Sequence, residues 1–567
     1  MQPSIQDIHS LLTAPGEQFE MAETVIHGVP VRFWKNAPPD LPAVLRSSAA
    51  HGDKTFLVYR DERISFREHF ARAARLAHRL RDELGVRPGD RVAIAMRNLP
   101  EWPTAFWAIT AVGGVAVPLN AWWTGSELEY GLADSGAKLL FADAERLARL
   151  DPHLATLGAV VGARGAPAPG TARRFERFEE LIEGAAAETE LPAVELRPDD
   201  DATLFYTSGT TGRPKGVIGT HRNICTNLLT VAFARARTLL RSGAPRSAID
   251  QLEEDPAFLL SVPLFHVTGC HSVLLSTTAL GAKLVLMHRW NPERALELIE
   301  RERITIFGGV PAMAWQVLES PDFARRDTSS LRSVRYGGAP APAELVRRID
   351  ELLPGRTPSN GYGLTETSAI ASNNAGDDYR ARPDSVGVPV PVCDVRIVDA
   401  EGSELPREEI GELWIRGPNV AMGYWNQPEA TAATFTEGWL HTGDLARIDQ
   451  EGFIYIVDRA KDVVIRGGEN VYCAQVEQVL FEHPGVRDAA VIGVPDRVLG
   501  EEVGAVIVSR PGVSLSEQEL RDHVRARLAA FNVPTHIWLR EQELPRNPAG
   551  KVLKAELKRE LIGEPAP

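Results

Sequence analysis

The chain has 567 residues, 44% of them hydrophobic and 24% charged, a globular composition too long for one hydrophobic core. Lys+Arg 62 against Asp+Glu 76 gives a net charge of −14, which argues against nucleic acid as a partner and leaves anionic ligands to local sites. Cys225, Cys270, Cys393 and Cys473 form no C-x-x-C pair, so the expectation is reduced thiols, no metal cluster and a cytoplasmic protein.

The first residues have neither a basic stretch nor an apolar core, so no signal peptide is expected. Helical periodicity spans roughly 66–84, and Val92–Met96, after the Pro88-Gly-Asp90 turn, reads as a strand. The stretch from Thr104 to Trp123 is uncharged, but Gly113-Gly114 and Pro118 break it. The reading is a buried helix followed by a buried strand, not a transmembrane segment. Ser126-Glu-Leu-Glu129 reads as the capping box of the next helix, and Leu139–Ala142 as a strand. Such alternation predicts crossover units and largely parallel sheets.

Gly162–Arg174 reads as an exposed excursion and Arg241–Pro256 as a polar insert. The β-type runs Val395–Val398, Glu412–Arg416 and Phe453–Val457, separated by turn signals, predict an antiparallel or barrel-like piece. After Asp458 the order is a helix near Gln475–Phe481, strands Ala489–Val494 and Val503–Val508, a helix from Ser516 and a strand Ile537–Leu539. The predicted fold class is therefore α/β: a large N-terminal domain of parallel-type subdomains plus a β-barrel-like piece, followed by a small α+β domain.

The segment Tyr206-Thr-Ser-Gly-Thr-Thr-Gly-Arg-Pro-Lys-Gly216 carries the strongest chemical signal. Its glycines allow a tight turn whose N–H groups cradle anions, the hydroxyls of Thr207, Ser208, Thr210 and Thr211 add donors, and Lys215 adds a point charge. It is a polyphosphate loop, yet not a Walker loop, because Arg213 and Pro214 separate Gly212 from Lys215. Downstream come Pro263-Leu-Phe-His266, Asn360-Gly-Tyr-Gly-Leu-Thr-Glu-Thr367, Trp439-Leu-His-Thr-Gly-Asp444, Asp458-Arg-Ala-Lys-Asp462, Arg466-Gly-Gly-Glu-Asn470 and Pro545-Arg-Asn-Pro-Ala-Gly-Lys551. Tyr362 suits stacking on a base, Thr365 a phosphate oxygen, Glu366 a hard cation, and Asp444 the hydroxyls of a ribose. Standing alone, His266 would read as structural, Asp444 as a turn residue and Lys551 as a solvated lysine.

In this order the segments resemble the adenylate-forming superfamily: acyl-CoA synthetases, adenylation domains of peptide synthetases and luciferase-like enzymes. The similarity covers essentially the whole chain and is strongest to bacterial fatty-acyl- or aryl-acyl-CoA synthetases. The resemblance implies ATP, Mg²⁺ and CoA. It assigns nucleotide contacts to Thr207, Ser208, Gly209, Thr210, Thr211, Gly212, Lys215, Gly338, Ala339, Pro340, Gly361, Tyr362, Gly363, Asp444, Arg459 and Lys551. Thr207 and Glu366 would bind the metal, and catalysis would rest on Lys551, His266, Thr365 and Glu366.

It also implies an acyl site at His266, Val267, Thr268, Val310, Gly338 and Gly363, and CoA contacts at Arg466, Gly467 and Gly468. Residues 1–460 and 461–567 would be the two domains, the second mobile about a hinge at Lys461. The expected reaction makes acyl-AMP and passes the acyl group to the CoA thiol, with an amine or a carrier-protein thiol as the alternative acceptor. The pocket positions named for the family, among them Gly269, Pro311, Met313 and Gly337, carry no charge here, which predicts a largely apolar acid. Asn532 stands where relatives usually have a lysine, which leaves CoA contacts there open. A homodimer is compatible with the sequence.

Overall fold

The computed structural model describes residues 3–184, 190–207, 213–250, 255–339, 341–547 and 550–563. Two large sheets form the body. The first, seven-stranded, is parallel except where strand Lys215–Thr220 turns back antiparallel on Asp201–Thr207. The second, nine-stranded, is parallel across its centre and antiparallel at both ends. Apolar strands such as Leu139–Ala142 are buried along their whole length, as a sheet covered on both faces requires.

The predicted helix over 66–84 is Phe66–Asp82, and the uncharged run resolves into helix Glu101–Ala111 and strand Val115–Pro118. Trp102, Phe106 and Trp107 on that helix are completely buried in the main hydrophobic core, so it is apolar all round because protein surrounds it. Among the described residues, no helix is long and apolar enough to cross a membrane.

The capping box lies two residues earlier than the sequence pattern places it. Helix Gly125–Ser135 is capped by Thr124, whose backbone N–H donates to Glu127 Oε2 at 2.8 Å. Both Thr124 and Ser126 have a glutamate three residues on. The earlier one is used because the turn closed by Trp123 N–H donating to Asn120 O frees the chain to coil from Gly125 onward.

The antiparallel piece is built on the long strand Trp439–Ile448. One edge pairs with Gly411–Arg416, while the other is shared by Phe435–Thr436 and then Ile454–Arg459. Sheet membership changes once more after Arg459. Val464–Arg466 belongs to a separate five-stranded sheet with Glu469–Val471, Val486–Asp496, Gly500–Ser509 and His536–Arg540, and that sheet has its own core.

Candidate active site

A cleft of about 2840 Å³ runs between the two large sheets, the antiparallel sheet and the C-terminal sheet. A single small ligand needs only about 300–1,000 Å³, so this cleft has room for several. Thr207 and Lys215, at the two ends of the segment expected to hold polyphosphate, pair across antiparallel strands, and both residues line the cleft. Ser208, Gly209, Thr210, Thr211 and Gly212 lie outside the described residues, as does Pro340.

Tyr424, absent from the sequence reading, links this hairpin to Glu366. Its hydroxyl donates to Glu366 Oε1 at 2.8 Å, and Lys215 Nζ stands 4.9 Å from the centre of its ring. Tyr424 reaches there because Trp425 N–H donates to Gly216 O at 2.7 Å, pinning its segment to the hairpin edge. The available signal was an aromatic pair after Gly423 in a stretch with no strand or helix pattern. Among the described residues no cluster of three or more His, Cys, Asp or Glu could hold a metal. One carboxylate and one hydroxyl, Glu366 and Thr207, suit a cation that takes its other ligands from phosphate and water, as Mg²⁺ does.

The Thr365–Thr367 turn is held in a strained shape. Ser368 and Ala369 follow it with φ of 54° and 113°, conformations that cost about 1–3 kcal/mol each. Gly363 is obligatory, since a β-carbon there would lie 1.6 Å from Ala369 O. Three buried side chains hold the turn. His271 Nδ1–H donates to Ser368 O at 3.3 Å, Asn419 Nδ2 donates to Thr367 O at 3.1 Å, and Asn227 Oδ1 accepts from Ile370 N–H at 3.0 Å. Thr365 and Glu366 are thereby presented to the cleft.

Asp444 and Arg459 are cross-strand partners, and Arg459 Nε meets Asp444 Oδ1 at 2.5 Å. Tyr362 donates its hydroxyl to Asp444 Oδ2 at 2.6 Å. Burial raises the Asp444 pKa, while Arg459, the Tyr362 hydrogen bond and Lys551 favour its charged form. Gly443, with φ of 69°, marks the point where the shared strand changes partners, which frees Asp444 to face the cleft.

Lys551 enters from the C-terminal side on a tight loop. Asn547 Oδ1 accepts from Lys551 N–H at 2.9 Å, Arg546 donates to Gly550 O at 2.7 Å, and Arg546 is anchored to Asp488 at 2.6 Å. Burial, with Arg459 nearby, lowers the Lys551 pKa to about 8.

The AMP-binding enzyme model matches residues 44–425 and the AMP-binding enzyme C-terminal domain model matches residues 475–551. The chain belongs to the AMP-binding enzyme family. It is 38% identical over 496 residues to a feruloyl-CoA synthase of Amycolatopsis sp, covering 88% of this chain and 94% of that one. It is also 34% identical over 543 residues to a long-chain-fatty-acid–CoA ligase of Bacillus subtilis, covering 91% and 94%. Its fold matches the structure of an amide bond synthetase from Marinactinospora thermotolerans with TM-score 0.79 and 29% identity, covering 92% of this chain and 100% of that one. Membership and kinship make it an adenylate-forming acid–CoA ligase.

The acyl side of this AMP-binding enzyme departs from the sequence reading at Val310, which does not line the cleft. His266, Val267 and Thr268 line the cleft where the chain passes into a π-helix, Thr268–Leu274, a rare element found mostly at functional sites. Burial lowers the His266 pKa to about 4, so the imidazole is neutral, and its buried Nε2 has no hydrogen-bond partner among the described residues. Val310, expected in the acyl wall, is instead buried beneath Gly550. Arg335 and Ser359, which the sequence reading did not name, also line the cleft. Alternation along Ser333-Val-Arg-Tyr-Gly337 was the available signal.

Gly338, Ala339, Gly361, Tyr362, Gly363, Arg459 and Lys461 line the same cleft. Arg466, Gly467 and Gly468 do not. They form a hairpin turn with φ of 60° and 90° at the two glycines, and Arg466 is paired with Glu502 at 2.7 Å. Asn532 is buried in a short 3₁₀ turn, away from the cleft wall.

Proposed function

We propose that the cleft activates a largely apolar carboxylic acid with ATP and then transfers the acyl group to the CoA thiol. The observation that carries this reading is the delivery of Lys551, from the C-terminal sheet, into a cleft already holding Asp444, Tyr362 and Glu366.

In the first half-reaction a carboxylate oxygen attacks the α-phosphorus, the bond to pyrophosphate breaks, and acyl-AMP forms. Two anions must meet, so the task is mainly positioning and charge neutralisation. Lys551 sits between the carboxylate and the α-phosphate, Thr365 contacts that phosphate, and Lys215 with the loop after Thr207 holds the leaving pyrophosphate. Asp444 accepts the ribose hydroxyls, with Arg459 and Tyr362 fixing its orientation, and Gly338 with Ala339 frames the base. Glu366 and Thr207 are the residues that would hold Mg²⁺, which supplies charge neutralisation at the phosphates.

In the second half-reaction the thiol attacks the acyl carbonyl and AMP leaves. Arg466, Gly467 and Gly468 lie off the cleft, so residues 461–567 rotate about the turn at Lys461 to bring them in. That turn is short: Ala460 N–H donates to Gly443 O and Asp462 N–H to Arg459 O.

The deciding experiment is a pyrophosphate-release screen over a carboxylic acid panel, with and without CoA. Release that depends on no acid refutes the reading. A second acceptor class, an amine, is favoured by the likeness to the amide bond synthetase. A coupled assay comparing CoA with amines separates the two.

A further inference from the structure

The segment 421–425 ties together two charged side chains of the cleft, Glu366 and Lys215. At one end Ala421 N–H donates to Glu366 O at 2.7 Å, and at the other Trp425 N–H donates to Gly216 O at 2.7 Å. Between them Tyr424 forms a β-bridge with Val217 of strand Lys215–Thr220. Other parts of the fold hold the segment too: Thr431 Oγ1 accepts from Tyr424 N–H at 2.9 Å, and Asp134 O accepts from the Trp425 indole N–H at 2.9 Å. The Tyr424 ring meets Phe435 edge-on, with centroids 5.6 Å apart. Tyr424 is therefore held in place independently of its two charged neighbours.

It offers a different group to each of them. The hydroxyl donates to Glu366 Oε1 at 2.8 Å, and the ring centre lies 4.9 Å from Lys215 Nζ. Burial and the neighbouring carboxylate raise the phenol pKa well above its usual value, so the hydroxyl keeps its proton and donates it. Lys215 and Glu366 carry opposite charges and touch the same side chain, yet they form no ion pair with each other within 4.0 Å. Without Tyr424, their attraction in a cleft partly shielded from water would draw them together. Such a pair would cancel both charges, leaving less of either for phosphate or for a cation.

We propose that Tyr424 is a positioning residue that keeps Lys215 from pairing with Glu366 and holds each of them for its own ligand, pyrophosphate and the metal. This inference rests on the reading that Lys215 grips pyrophosphate and Glu366 holds Mg²⁺. The hydroxyl and the ring have separable parts in it. The hydroxyl engages one carboxylate oxygen and leaves the other to a cation, and a hydrogen bond to a charged group corresponds to about 10- to 100-fold at most. The ring attracts the ammonium by about 2- to 5-fold and takes up volume beside both charges.

The test measures binding to the full-length enzyme with no acid present, so that no acyl-AMP forms. Mn²⁺ is titrated in the presence of ATP by electron paramagnetic resonance, and pyrophosphate in the presence of EDTA by calorimetry. Tyr424→Phe keeps the ring, so it should weaken Mn²⁺ by about 3- to 10-fold and leave metal-free pyrophosphate within about twofold. Tyr424→Leu should weaken both, pyrophosphate by about fivefold or more. The gain in pyrophosphate affinity from Glu366→Gln should be larger in Tyr424→Leu than in the wild-type background, because only there does the carboxylate capture the lysine. Equal gains in the two backgrounds, or Mn²⁺ binding untouched in Tyr424→Phe, overturn the positioning role alone. An AMP affinity that falls as far as the pyrophosphate affinity in Tyr424→Leu overturns it too, by making Tyr424 a general structural residue. Should Tyr424→Leu not fold, the Mn²⁺ and pyrophosphate results for Tyr424→Phe decide. Mn²⁺ binding unchanged by Glu366→Gln overturns the metal assignment to Glu366, and the positioning role with it.

Discussion

Gly550 of the C-terminal lysine loop is seated on Val310 of the nine-stranded sheet's side, so closely that a β-carbon on Gly550 would lie 2.4 Å from Val310 Cγ2. With φ of 78°, Gly550 also holds a backbone shape that side chains disfavour. The contact defines the pose in which the next residue, Lys551, reaches the cleft. A second contact across the same divide, the ion pair of Arg510 with Glu319, supports that pose.

Gly550→Ala should therefore slow adenylation by about tenfold or more, since the left-handed conformation alone costs about 1–2 kcal/mol. Thioester formation from supplied acyl-AMP should be nearly unaffected. Val310→Ala in the same chain should recover part of the loss by making room. Half-reactions measured separately by stopped flow check this, and equal slowing of both steps contradicts it.

Lys551→Ala should reduce adenylation by about 10²–10³-fold, the scale for removing one group that stabilises transition-state charge. Transfer from supplied acyl-AMP to CoA should survive, because the lysine is used in the first pose only. Comparable loss in both half-reactions would show that Lys551 acts structurally.

The pH profile follows from the same lysine. Burial beside Arg459 brings its pKa down to about 8, and only the protonated form neutralises phosphate. The adenylation kcat/KM, which reports the free enzyme, should fall as pH rises through about 8. A thioester half-reaction showing the same alkaline limb would assign it to another group.

Asp444→Asn should raise the KM for ATP by about tenfold or more, because it removes the charge that both the ribose hydroxyls and Arg459 meet. Titration of AMP by calorimetry should show the same weakening, while Tyr362→Phe, which only loosens Asp444, should have a smaller effect. An AMP affinity unchanged in Asp444→Asn would remove it from the ribose site.

Lys461→Pro should slow the thioester step more than adenylation, because proline fixes φ in the turn that must change. Stopped-flow measurement of each half-reaction is decisive, and an unaltered thioester rate would place the hinge elsewhere.

The order of motifs and the type of most elements were legible in the sequence because both are local. Phe66–Asp82 and Leu139–Ala142 come from periodicity within their own segments, and Asp444 and Lys551 stand out by their neighbours in the chain. What folding decided is which distant segments touch. Tyr424 reaches Glu366 only through an edge pairing with the hairpin, His271 and Asn227 grip a turn about a hundred residues away or more, and Arg335 acquires Ser359 as a neighbour through parallel register. The same holds for Val310, which packs against Gly550. Periodicity fixes which way a residue faces along its own element, whereas register and packing choose what it faces, and those are settled by the burial of the whole core.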